Sequence, residues 1–181
     1  MNNICLYKVD MKLIRDYAHI DDNIMSVSPQ INKQNRPFVG VIVIKNNRKY
    51  CIPLSSPKEK HRKMKSGLDM IKVFDESDRD EDKQFKLIGI LNINNMIPVE
   101  DCFLELVDLN IYINDDKKCK AHKELMQNQL KWCRENSEII INKANKVYNL
   151  VVNNPEKNKR LVTRSVDFLK LEKVLERKLK S

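Results

Sequence analysis

Apolar and polar residues alternate over positions 4–9 as on a short half-buried strand. Asp10 follows as a helix cap ahead of Leu13, Ile14 and Tyr17, which share one helical face. Residues 21–36 break the pattern. The stretch is polar, carries Pro29 and several Asn and Gln, and predicts a long loop. Phe38-Val39-Gly40-Val41-Ile42-Val43-Ile44 then reads as a buried strand, Asn46-Asn47 as a turn, and residues 49–54 as the antiparallel partner. Residues 86–94 and 102–109 predict two more strands, joined through Asn94-Asn95-Met96-Ile97-Pro98. Gly40 and Gly89 fall inside strand-like runs, where glycine marks a bulge, a bend or a close backbone approach. Residues 64–74 fit no single period, and the acidic run that follows, 75–83, predicts a solvated surface loop.

From about Ala121 the period changes. Met126, Leu130, Cys133, Ser137, Ile140, Ala144, Val147 and Val151 recur at spacings of four and three, one face of a long helix or of two nearly collinear ones. Asn136-Ser137 is the weak point and Asn154-Pro155 the stop. Cys133, Ser137 and Ala144 make a poor self-associating seam, so this face packs on the sheet, with Trp132 as a packing residue beside it. A last helix over 161–179 turns Phe168, Leu171, Leu175 and Leu179 inward. The pattern predicts an α+β fold: one domain over 1–181, with a strongly curved antiparallel sheet packed with helices.

Charge adds direction. The 181 residues carry a formal charge of +9, which favours polyanionic partners. Residues 45–65 hold eight Lys/Arg against the single acid Glu59, and residues 154–181 hold nine against four acids. Five cysteines, an odd number without zinc-site spacing, read as free thiols in a cytoplasmic protein. No apolar run approaches membrane-spanning length.

Candidate chemistry concentrates in Tyr50-Cys51-Ile52-Pro53-Leu54-Ser55-Ser56-Pro57-Lys58-Glu59-Lys60-His61, a strand that breaks into a basic turn. The histidines His19, His61 and His122 are scattered, and the acidic run lacks the glycine and terminal glutamate of a calcium loop, so no metal site is expected. Neither a Walker lysine motif nor a Gly-rich dinucleotide loop is present, so no cofactor is expected. The plain reading of Ser55-Ser56-Pro57-Lys58 is a capping serine beside solvated lysines. The functional reading is RNA transesterification, which needs no metal when the 2′-OH is aligned and charge on the phosphate is neutralised. Serine can hold the 2′-OH or a phosphate oxygen, lysine can neutralise the developing dianion, and histidine can carry a proton near neutral pH. Arg36, Lys60, His61, Arg62 and Lys63 surround the serines as RNA-binding candidates. A non-catalytic RNA-binding regulator with the same basic face is the alternative.

These residues resemble a known family. Arg36-Pro37-Phe38-Val39-Gly40-Val41, the Lys49–Lys58 segment followed by His61, Leu87-Ile88-Gly89-Ile90-Leu91-Asn92 leading to Met96-Ile97-Pro98, and Gln129-Leu130-Lys131-Trp132-Cys133-Arg134-Glu135-Asn136-Ser137 occur in an order similar to that of the endoribonuclease toxins of type III toxin–antitoxin systems, the ToxN/AbiQ/CptN group. The resemblance implies a compact MazF/Kid-like core and metal-independent RNA cleavage leaving a 2′,3′-cyclic phosphate and a 5′-OH. It implies an RNA antitoxin of tandem pseudoknotted repeats that the toxin itself processes, assembly with that RNA into closed rings, and growth arrest during phage infection. By position, Ser56 matches the family's key serine and Lys58 the lysine after Ser-Pro. Ser55 sits where threonine or serine is usual, Arg36 where a lysine can occur, Lys60 where a relative has an aromatic, and Asp22 near a structural Asp. Catalytic roles are thus expected of Ser56, Lys58 and Ser55.

Overall fold

The computed structural model describes residues 4–25, 38–44, 48–79 and 84–180. Strand β1 (Cys5–Val9) runs into helix α1 (Met11–Ala18), whose cap is Asp10: its carboxylate accepts the backbone N–H groups of Lys12 and Leu13 at 2.8 and 2.9 Å. Leu13, Ile14 and Tyr17 are the buried face of α1, as the pattern predicts. Strands β2 (Phe38–Ile44) and β3 (Arg48–Ser55) pair antiparallel, and the short helix α2 (Glu59–Lys63) follows β3. Next come β4 (Met70–Arg79), β5 (Phe85–Asn92), β6 (Ile97–Val99) and β7 (Leu104–Leu106). The helices α3 (Lys117–Glu135), α4 (Ser137–Val152), α5 (Lys159–Arg164) and α6 (Phe168–Lys180) complete the chain.

The strands run in the order β4-β5-β3-β2-β1-β7, every pairing antiparallel, with β6 beside β3 off this path. β3 is the centre of this arrangement. Along one edge it pairs with β2; along the other it pairs first with β6, through Lys49, Tyr50 and Cys51, and then with β5, through Leu54 and Ser55. Pro53 falls between the two partners. A proline has no N–H to give a ladder, so this gap is where β3 tolerates one. Gly40 lies in a β2 irregularity between Val39 and Ile42, and a Cβ there would stand 2.4 Å from Cys51 Sγ. A Cβ on Gly89 would meet Leu54 at 2.9 Å and Gln129 at 3.2 Å, so that glycine lets α3 close on β5. Both glycines mark close approach.

Helix–sheet packing buries Met126, Leu130, Trp132 and Cys133 of α3 and Ile140, Ala144 and Val147 of α4, with the break at Asn136. Four expectations need correction. The acidic run is not all loop: β4 extends through Asp75 to Arg79, where Asp75 faces Lys86 across the ladder. As β4 ends the strand order, water can solvate its polar residues. The last helix is two helices. The amide of Val166 donates to the Asn94 carbonyl at 3.0 Å and that of Asp167 to the Asp21 carboxylate at 2.6 Å, both partners lying outside the helix. Leu179 is exposed rather than inward. The predicted strand over 102–109 shrinks to Leu104–Leu106. Among the described residues no helix is long and apolar enough to cross a membrane.

Candidate active site

Ser55 is the last residue of β3, and its side chain is tied inward. The Asn92 amide donates to Ser55 Oγ at 3.0 Å and to the Pro53 carbonyl at 3.4 Å, while Ser55 Oγ lies 3.5 Å from the Ile90 carbonyl as donor. The side chain of Asn92 thereby satisfies the Pro53 carbonyl at the β6-to-β5 change of partner. Ser56 comes next and is exposed, its hydroxyl without a hydrogen bond to any described residue. A strand end that is fixed by side-chain bonds therefore presents a hydroxyl that is not.

Lys58 is the N-cap of α2, in extended conformation (φ −108°, ψ 160°), with its side chain exposed. The turn closes reciprocally. His61 N–H donates to the Lys58 carbonyl at 2.8 Å, and Lys58 N–H donates to His61 Nδ1 at 3.0 Å. His61 thus does at the third helical position what Glu or Gln does in a capping box, accepting from an otherwise unpaired backbone donor. An acceptor Nδ1 carries no proton, so the neutral ring holds its hydrogen on Nε2. Partial burial, then the charges of Lys60, Lys58 and Lys72, hold the His61 pKa below its ordinary value, which favours that neutral form.

Lys60, Arg62 and Lys63 are exposed on α2, with Glu59 3.7 Å from Arg62. At the far end of this helix Lys72 of β4 donates to the Arg62 carbonyl at 3.0 Å, a cation at a helix C-terminus. Lys72 and Ser55 both face Ile90 across the ladders, so one cross-strand row joins them. Seven of the eight expected site residues thus occupy one strand-turn-helix segment. Arg36, the eighth, lies outside the described residues, as does the Asn46-Asn47 turn. Tyr17 and Trp132 are buried packing residues, and His19 and His122 are exposed. Among the described residues no three His, Cys, Asp or Glu side chains converge as metal ligands would.

A family model described as "Toxin ToxN, type III toxin-antitoxin system" matches residues 5–176. The chain belongs to the ToxN toxin family of type III toxin–antitoxin systems. It is 26% identical over 147 residues to Endoribonuclease ToxN of Pectobacterium atrosepticum, covering 81% of this chain and 80% of that one. To Endoribonuclease AbiQ of Lactococcus lactis subsp. lactis it is 36% identical over 140 residues, 75% of this chain and 69% of that one. Two solved structures share the fold. One, described with selective toxin inhibition by a non-coding RNA pseudoknot, superposes with a TM-score of 0.78 at 26% identity over 99% of this chain and 100% of its own. The other, AbiQ, described as a lactococcal anti-phage endoribonuclease, gives 0.79 at 27% identity over 99% of each chain.

Two residues of this candidate site escape sequence reasoning. Asn92 ends an apolar run that carries the family resemblance, but its bond to Ser55 depends on the β3–β5 register. Lys72 lies in a stretch of no clear period and reaches α2 only because β4 runs beside β5.

Proposed function

We propose that this chain is the endoribonuclease toxin of a type III system, cutting RNA at a site centred on Ser56 and Lys58. The observation that carries the reading is the family match across residues 5–176. The exposed Ser56 hydroxyl, without a hydrogen bond among the described residues and set on a braced turn, supports its placement. In this reaction the ribose 2′-oxygen loses its proton to a base and attacks the adjacent phosphorus, and the bond to the 5′-oxygen breaks. That oxygen takes up a proton, leaving a 2′,3′-cyclic phosphate and a 5′-OH. Ser56 Oγ–H holds the 2′-OH or a non-bridging oxygen in line, and the Lys58 ammonium offsets the charge that grows on the phosphate. No metal or cofactor takes part. Ser55 acts from beneath by fixing the strand end, and Arg36 positions the phosphate.

Lys60, Arg62 and Lys63 flank the site and bind the RNA backbone, with His61 set between them in the same turn. The RNA partners are cellular or phage transcripts as substrates and a tandem-repeat, pseudoknotted RNA as processed inhibitor, with which the chain closes into rings. The relatives described with a pseudoknot RNA inhibitor and an anti-phage endoribonuclease support this assignment. The chain works as one cytoplasmic domain, and the partner change of β3 supports a curved core of the MazF/Kid kind. The deciding experiment is cleavage of single-stranded RNA in EDTA by the wild-type chain and by Ser56→Ala, with the product ends identified. Cyclic-phosphate ends from the wild type alone support the proposal. Binding without cleavage by both would leave a non-catalytic RNA-binding regulator in its place.

A further inference from the structure

The Ser56-Pro57-Lys58 turn has a brace at each end. Asn92 holds Ser55 and Pro53 at the strand side, through bonds of 3.0 and 3.4 Å. At the helix side, among the described residues, one side chain holds the Lys58 backbone amide: His61, at 3.0 Å. We infer that His61 is a positioning residue for the cleavage site, holding the Lys58 amide through Nδ1 so that the Lys58 ammonium and the Ser56 hydroxyl keep a fixed relation to one phosphate. This role rests on the proposed RNA-cleaving site at Ser56 and Lys58.

Three observations favour it over direct phosphate binding or proton transfer by this ring. The Nδ1 lone pair is already committed within the chain, so one of its two nitrogens is closed to RNA. The ring is only partly exposed, unlike the exposed Lys60, Arg62 and Lys63 around it. The groups facing it, Lys58 and Lys60 from its own turn and Lys72 from β4, are all cations, so the ring is held neutral rather than as an anion-binding imidazolium. The brace fails on protonation, because an Nδ1–H donor would then face the Lys58 N–H donor. As the folded-state pKa is lowered, the braced form is complete above the ordinary histidine value of about 6.5 and is lost as pH falls through the lower folded value.

The test compares three chains on one single-stranded RNA in EDTA: wild type, His61→Ala and His61→Asn, with Ser56→Ala as reference. Asparagine places an acceptor oxygen where the imidazole has Nδ1 but does not titrate. His61→Ala is expected to lose about a hundredfold in kcat with little change in KM, the scale of a modest misplacement. His61→Asn is expected to recover most of that loss and to lack the acid limb that the wild-type kcat shows below pH 6.5. Two-bond ¹⁵N–¹H correlations of wild-type His61 at pH 7.5 should show hydrogen on Nε2 only. If His61→Asn is as slow as His61→Ala, if the loss falls on KM, or if Nδ1 carries the hydrogen, the positioning role is overturned. Cleavage abolished by Ser56→Ala yet indifferent to His61→Ala would overturn this role alone. Absence of cleavage by the wild type would remove the proposed reaction and this role with it.

Discussion

Tyr50 of β3 donates its phenolic hydrogen to the Glu172 carboxylate of α6 at 2.7 Å, and Tyr148 of α4 donates to the same oxygen at 3.0 Å. Glu172 is 6% exposed, and its other oxygen lies 3.3 Å from Arg48 Nε. The rings of Tyr50, Tyr148 and Phe168 pack around this carboxylate with centroids 5.5–5.9 Å apart. Burial, and then the carboxylate, push the Tyr50 phenol pKa up, and Tyr148 rises for the same reasons to about 12. This cluster fixes the start of the strand whose other end carries Ser55.

Glu172→Leu therefore strands two buried hydroxyls and leaves the Arg48 guanidinium with Glu176 alone. A broken buried network of this kind costs about 3–5 kcal/mol, and urea unfolding should show a loss of that order. Glu172→Gln keeps an acceptor for the phenols and should lose less. Equal stability of the leucine variant and the wild type would mean that the network contributes nothing net.

Gly40→Ala tests the close approach of β2 to β3. The added methyl would lie 2.4 Å from the buried Cys51 Sγ and 3.3 Å from Tyr7, which calls for a backbone shift costing roughly 1–3 kcal/mol. Cys51→Ala removes the nearer atom, so the double variant should lose less than the sum of the two single variants. Strict additivity in thermal unfolding would show that sulfur is not the obstacle.

Much of this fold is legible because one local signal sufficed for each part. The Asp10 cap with Leu13, Ile14 and Tyr17, and the α3–α4 stripe broken at Asn136, come from spacing alone. What spacing misses is decided by distant partners. Residues 165–167 leave the helical path for acceptors on Asn94 and Asp21, more than 70 positions away. Asp75 to Arg79 join a strand because β5 lies alongside, although their composition reads as a loop. At the site, Ser56 and Lys58 stand out by chemistry within a contiguous motif. Asn92 and Lys72 belong to it only through strand register.

Asn92→Asp keeps the shape of the side chain but removes the donors to Ser55 Oγ and the Pro53 carbonyl. It also places a carboxylate beneath a turn meant for phosphate. Cleavage should fall by about tenfold or more through kcat, with a stability loss near 1 kcal/mol for the missing hydrogen bonds. Unchanged kcat with a lowered melting temperature would restrict Asn92 to a purely structural role.

RNA affinity should depend steeply on salt, because exposed lysines that neutralise phosphates release counterions on binding. Lys60 and Lys63 are exposed beside the proposed site, and neither ammonium forms a hydrogen bond or salt bridge with a described residue. If each neutralises one phosphate of a single strand, Lys60→Ala/Lys63→Ala should make the slope of log affinity against log salt shallower by about 1.4. The measurement is equilibrium binding of a labelled RNA to Ser56→Ala chains, with and without the two lysines, across a salt series. Carrying Ser56→Ala in both chains separates binding from cleavage. A slope unmoved by the double variant would place the RNA backbone elsewhere on the basic surface. The segment over residues 154–181, with nine Lys/Arg, would then be the next to probe.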